Sequence, residues 1–312
     1  MMSDFSYFGA AGNCHILALA KAFVRVKSVR DLLLLDALSS VPFGVRCVRE
    51  DPNRLMTCHL NPDVGLDRLT NILMLQGESL CFDATSQEAA IDTLDDWLAS
   101  GPVMLGPLDM GGLPYLFGHA YLAGNDHYVI AVGRDGTGYR VDDPEGVLGA
   151  GIARPRLLEA WRGGIPEASG AFHMRRFDPC DFEGVSAEIL LHALACGRDN
   201  LAAVDPQTVF VDIADALAAP TPTQRRAMSY LFPARAQRIQ SLMVMFEELK
   251  TAARVQCADI QKLLRQQMME TAALHAATLF NDDADVVQGA LKRLGDLEYR
   301  LKDSVKFLLD GK

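Results

Sequence analysis

Apolar residues recur at helical spacing along much of this chain and give way, in a few places, to short runs rich in Val, Ile and Tyr. Residues 14–23 carry Ile16, Leu17, Leu19 and Phe23 at such spacing, with Asn13 in the N-cap position, and predict a helix. Residues 29–38 predict a second, leucine-rich helix, and residues 66–75, 87–98 and 154–161 share the pattern. Pro102-Val103-Met104-Leu105 reads as a short buried strand and residues 171–177 as another strand. Residues 39–60, broken by Pro42-Phe43-Gly44 and Asp51-Pro52-Asn53, predict strands and turns around the site described next. Ala10-Ala11-Gly12 reads as a loop before the first helix, and residues 106–124 as a glycine-rich loop able to shape a pocket. From about Cys180 glycine becomes sparse, and residues 186–196, 208–219, 223–253, 260–280 and 285–309 predict helices, with Pro233 kinking or splitting the third. The expected organisation is α+β: a domain over residues 1–179 with a small antiparallel sheet, and a helical C-terminal region over 180–312.

One stretch breaks the polar and apolar pattern in an informative way. In residues 125–146 two runs flank Arg134-Asp135-Gly136-Thr137-Gly138, whose glycines can take the positive φ of a tight reversal, so an antiparallel hairpin is predicted. His127 opens the first strand and Asp142-Asp143-Pro144 closes the second. Antiparallel pairing sets the start of one beside the end of the other, placing an imidazole next to a carboxylate, the orienting pair of a general base. Strand alternation groups Asp143 with Tyr139 and Val141, which favours it over Asp142; Pro144 can disturb that alternation and leaves Asp142 as the alternative. Cys14, in the first turn of its helix, is the candidate nucleophile, since unpaired N–H groups and the helix dipole favour a thiolate there. Asn13, His15, Tyr115 and His119 are candidate substrate-binding residues.

Composition narrows the class. The chain has 312 residues, 30 basic against 40 acidic, and a net charge of -10, which disfavours nucleic-acid and anionic-membrane partners. No apolar run approaches the roughly 18–20 residues that span a bilayer, and the N-terminus lacks a signal-peptide pattern, so a cytoplasmic protein is expected. Seven scattered cysteines without CxxC spacing argue against a disulfide framework or a metal site, and no metal or redox cofactor is expected. Lys21, Arg25, Lys27 and Arg30 could meet an acidic carrier or a coenzyme phosphate, although a solvated face accounts for them more simply. Leu242, Met243, Met245, Phe246 and Leu249 form a stripe expected to pack as core or in a homodimer.

A cysteine opening a helix, followed by H-Y-V-I-A-V-G and Y-R-V-D-D-P, resembles the papain-like cysteine peptidase superfamily, especially its bacterial leader-peptidase-like branch. Gly101-Pro102-Val103-Met104, Leu108-Asp109, Leu113-Pro114-Tyr115 and residues 127–144 are similar to the N-terminal domain of the butirosin biosynthesis protein H family. That resemblance covers roughly residues 10–165. It implies a papain-like fold and acyl transfer from a carrier-protein or coenzyme A thioester to a small-molecule amine, with Cys14 as nucleophile, His127 as base and Asp143 as orienter. Papain-like peptidases commonly place a glutamine before the cysteine; none stands here, so the Cys14 backbone N–H is the candidate oxyanion donor. A cysteine peptidase or amide hydrolase is the alternative from the same chemistry, and a non-catalytic scaffold on the same fold is the alternative from another class.

Overall fold

The computed structural model describes residues 13–49, 55–163, 170–280 and 284–311. The loop expected at Ala10-Ala11-Gly12 and the turn expected at Asp51-Pro52-Asn53 lie outside the described residues. The chain begins with α1 (Cys14–Ala22), β1 (Val24–Arg25), α2 (Val29–Leu38), β2 (Val45–Cys47), β3 (Met56–Cys58) and α3 (Pro62–Ile72). There follow β4 (Gly77–Phe82), α4 (Gln87–Leu98), β5 (Val103–Asp109), β6 (Asp126–Asp135), β7 (Gly138–Asp142), β8 (Ala150–Ala153), α5 (Arg154–Trp161), β9 (Ala171–Phe177) and β10 (Cys180–Asp181). The remainder is helical: α6 (Ala187–Ala202), α7 (Pro206–Ala216), α8 (Pro222–Ala252), α9 (Ala258–Phe280) and α10 (Ala284–Asp310). The architecture is therefore mixed α and β, with an antiparallel sheet and a helical C-terminal region.

Contacts divide the chain into two compact units, one of Met1–Leu32 with Pro62–Glu183, the other of Leu33–Asn61 with Gly184–Lys312. The last of these divisions lies close to the boundary expected at residue 180. Residues 39–60, expected around the Cys14 site, cluster instead with the second unit, where β2 and β3 pair antiparallel.

In the first unit six strands run in the order β4-β9-β5-β6-β7-β8, every neighbouring pair antiparallel. His127 to Ala131 are buried without a break, which requires both faces of β6 to be covered because side chains alternate. α1 packs on β6 and β5, and α4 also packs on β6. Ile91, Leu94 and Trp97 of α4 and Leu157 and Trp161 of α5 share one apolar core with Val103, Leu105, Val129, Val141 and Phe172 of the sheet. α1 is buried along nearly its whole length, in keeping with its lack of a polar face.

The predicted glycine-rich loop is shorter than expected, because β5 continues through Gly106 and Pro107. A register shift between Leu105 and Leu108 absorbs those two residues, after which Leu108 pairs with His127 and Asp109 with Asp126. The Asp109 carboxylate then accepts from the N–H groups of Gly111 and Gly124, at 2.8 and 2.9 Å, and closes the loop on itself. The hairpin turn is Gly136-Thr137, with Gly136 at φ 56°, a conformation open to glycine at little cost.

In the second unit α8 runs 31 residues with Pro233 inside it, so of the kink or split expected there the split does not occur. It removes one backbone donor, but Leu231, Phe232 and Arg235 around it are buried, and packing of this kind outweighs local propensity. Leu242, Met245, Phe246 and Leu249 are fully buried within the chain, which places most of the apolar stripe in the core. Arg235 pairs with Glu298 at 2.7 Å, both buried, and Ser241 donates to buried Asp36 at 2.6 Å.

Gly197 of α6 offers a test of this packing. An added Cβ would lie 2.5–2.7 Å from three ring carbons of Phe43, itself fully buried. Gly→Ala in an exposed helix interior stabilises by about 1 kcal/mol, whereas overpacking costs about 1–3 kcal/mol, and here the ring has nowhere to go. Gly197→Ala is expected to lower the urea midpoint; a raised midpoint would contradict the packing described.

Candidate active site

Asn13 occupies the N-cap position of α1 with extended dihedrals, and its backbone carbonyl accepts from the N–H groups of Ile16 and Leu17 at 3.0 Å each. Its side chain makes no capping hydrogen bond. Cys14 follows as the first helical residue, a free thiol only 7% exposed.

Register explains how His127 reaches its carboxylate. Ile130 pairs with Asp142 and Ala131 with Val141, so the strand direction carries Asp143 opposite Val129, one pleat from His127. Diagonal neighbours at that separation are within reach of long side chains. His127 Nε2 lies 2.8 Å from Asp143 Oδ2, and both side chains are fully buried. The second carboxylate oxygen accepts from the Glu145 N–H at 2.8 Å, and the Asp143 N–H donates to the Val147 carbonyl at 2.7 Å, so the turn after β7 fixes the carboxylate. Asp142 goes elsewhere: it accepts from the Gly149 N–H at 2.7 Å and pairs with Lys21 at 3.3 Å.

With Nε2 engaged by Asp143, Nδ1 is buried without a hydrogen-bond partner among the described residues, and the Cys14 thiol lies near enough to interact electrostatically with the ring. The structure thus brings Cys14, His127 and Asp143 together. Burial alone would lower the imidazole pKa, but the Asp143 hydrogen bond, the nearby Cys14 sulfur and the charges of both outweigh it and raise His127 well above 6.5. For Asp143, burial works upward; the hydrogen bond and charge of His127, together with the Glu145 N–H, outweigh it and hold the carboxyl below 3.8. Burial pushes the Cys14 thiol up from 9.0 while His127 pulls it down, and Asp126 and Glu145 add to the upward push.

The sign of the resulting pH dependence follows. The raised His127 contributes stability that is present below 6.5 and lost as pH rises through its folded value. The lowered Asp143 contributes stability present above 3.8 and lost as pH falls through its folded value. NMR titration of the His127 ring is expected to show the imidazolium persisting well past pH 6.5. A midpoint at or below that value would contradict the buried pair.

The candidate substrate-binding residues scatter in role. Tyr115 lies beside Asp143; burial, and then the Asp143 charge, raise its phenol above its usual value. His15 is 2% exposed and packs its ring on Tyr128, centroids 5.9 Å apart. His119 is tied within its own loop, Nδ1 lying 2.7 Å from the Gly111 carbonyl. Of the basic residues, Lys21 pairs with Asp142 and Arg25 with Asp181 at 3.6 Å, which ties these charges to the chain itself.

Sequence reasoning missed a buried polar network in the same unit. Asp63, at the start of α3, accepts from Arg175 at 2.8 Å and the Tyr128 hydroxyl at 3.0 Å through one oxygen. Through the other it lies 3.1 Å from His173 Nδ1. No periodicity marks it, because the partners of Asp63 stand 65 to 112 residues further along the chain. Among the described residues no group of three or more His, Cys, Asp or Glu could hold a metal ion, and no helix is long and apolar enough to cross a membrane.

No protein-family model matches the chain. It is 28% identical over 155 residues to an uncharacterized protein, YobF, of Bacillus subtilis (strain 168), a match that covers 50% of each chain. The matched segment thus spans about half the length of that curated relative.

Proposed function

We propose that this protein is a cysteine-dependent acyltransferase on a papain-like fold, moving an acyl group from a carrier-protein or coenzyme A thioester to a small-molecule amine. The observation that carries the reading is the 2.8 Å His127–Asp143 pair, with Cys14 near enough to interact electrostatically with the same ring and all three side chains buried. In the first half-reaction the Cys14 sulfur, its proton already held by His127, attacks the thioester carbonyl, and His127 gives that proton to the departing thiol. In the second, the amine attacks acyl-Cys14, gives a proton to His127, and the Cys14 thiol is restored. Asp143 holds the ring in one orientation throughout and stabilises its charged form. The backbone N–H of Cys14, in the first turn of α1, is the oxyanion donor in this scheme.

Burial of the three groups supports an amine over water as acceptor, since a closed site suppresses hydrolysis of the intermediate. The sulfur's coupling to His127 also favours catalysis over a scaffold role, for which no such contact is required. We place the protein in the cytoplasm, where seven free thiols remain reduced. Incubation with an acyl thioester and candidate amines, followed by product analysis, tests the reading: amide is the expected product. Free acid alone would make water the acceptor and place the protein with the hydrolases instead.

A further inference from the structure

A second nucleophile-and-base arrangement stands in the first unit, apart from Cys14. Ser79 Oγ lies 2.9 Å from His173 Nε2, and His173 Nδ1 lies 3.1 Å from Asp63 Oδ2. We propose that Ser79, His173 and Asp63 form a serine-nucleophile site that hydrolyses carboxylic esters.

Chemistry assigns each role. Burial raises the Asp63 pKa, but hydrogen bonds from His173 and Arg175 and their charges outweigh it and hold the carboxyl at about 2. Asp63 is therefore a carboxylate at neutral pH and can only accept, so Nδ1 of His173 carries the proton it donates there. In the form of the ring protonated on Nδ1 alone, Nε2 is an acceptor to which the Ser79 hydroxyl can donate, the arrangement in which an imidazole takes the proton of an attacking hydroxyl. His173 is 6% exposed and Asp63 1%, and the backbone carbonyl of His173 accepts from Trp161 Nε1 at 2.8 Å, so base and orienter are fixed. Arg175 and the Tyr128 hydroxyl hold the carboxylate from its other oxygen.

Ser79 differs from both in being exposed. A buried ring needs a partner for Nε2, and any buried hydroxyl would serve that need; a solvent-facing one leaves the same oxygen open to a substrate. Ser79 sits on β4, the edge strand of the sheet, whose outer row of N–H groups pairs with no strand among the described residues and can face an oxyanion. In the reaction Ser79 Oγ attacks the ester carbonyl as its proton moves to His173 Nε2. The tetrahedral intermediate collapses, and the alcohol leaves with that proton. Water then attacks acyl-Ser79, passes a proton to His173, and the acid departs as the proton returns to Oγ.

The test uses the full chain in a Cys14→Ala background, so that its outcome is separate from the acyltransferase reading. A fluorophosphonate probe is expected to label Ser79, and p-nitrophenyl acetate hydrolysis above the uncatalysed rate is expected to fall at least about hundredfold on adding Ser79→Ala. Ser79 is exposed, so this variant keeps its fold, as far-UV circular dichroism checks. Peptide mapping that finds no probe on Ser79, or an ester hydrolysis rate unchanged by Ser79→Ala, would overturn the proposal.

Discussion

Cys14→Ala is expected to lower thioester-dependent acyl transfer by at least about a thousandfold while leaving the fold in place. The thiol is the group that bonds to the acyl carbon, and among the described residues no other nucleophile interacts with His127. The substitution removes one buried sulfur and leaves the His127–Asp143 hydrogen bond intact, so the stability change should stay within about 1.5 kcal/mol. Steady-state rates and a urea denaturation curve of the same preparation separate the two effects. Cys14→Ser, which keeps the shape and exchanges a good nucleophile for a poor one, should lose activity almost as fully. Retained transfer in either variant would move the chemistry to another residue.

The second large effect concerns stability. Asp63→Asn is expected to destabilise the first unit by about 3–5 kcal/mol, because it strips the counter-charge from a buried cation. Arg175 is 1% exposed and bonds Asp63 at 2.8 Å; its other carboxylate neighbour, Asp67, is 3.5 Å away and largely exposed. An amide in place of the carboxylate keeps the shape but cannot neutralise the guanidinium. Tyr128→Phe, which removes one neutral donor from the same oxygen, should cost only about 1 kcal/mol. The wild-type contribution is acid-labile in a definite sense: with its pKa lowered from 3.8 to about 2, Asp63 adds about 2 kcal/mol that is present above 3.8 and lost as pH falls toward 2. Urea midpoints measured by a probe in the first unit give both comparisons. A loss below about 1 kcal/mol in Asp63→Asn would show that the network is not the support described. The network also bears on the candidate site, since Tyr128 is the ring on which His15 packs, next to Cys14.

These two sites are unequally visible in the sequence. Cys14, His127 and Asp143 stand out because local rules place them: a cap position, a tight turn, and the pleat of paired strands. Helices α4 and α5 and strand β9 span the residues that apolar spacing predicts. The same rules fail where structure depends on distant partners. β4 lies at the sheet edge with Glu78, Ser79 and Cys81 exposed, so burial imposes no alternation by which to recognise it. β5 passes through Gly106 and Pro107 because β6 offers pairing beyond them, which neither residue type advertises. The membership of residues 39–60 in the second unit is set by contacts with residues far along the chain, such as the Asn200 side chain donating to the Ser40 carbonyl at 2.8 Å. His173 carries no signal in the sequence, because its partners Ser79 and Asp63 stand 94 and 110 residues away.

The central claim is that the sulfur at the head of α1 and the imidazole at the head of β6 act as one nucleophilic unit. Intact-mass spectrometry of the protein mixed with an acyl thioester and no amine, followed by peptide mapping, tests it most directly. The account predicts a single acyl adduct on Cys14, formed in the wild type and absent from His127→Ala. An adduct mapped to any of the other six cysteines, or one that forms on Cys14 equally fast without His127, would contradict it.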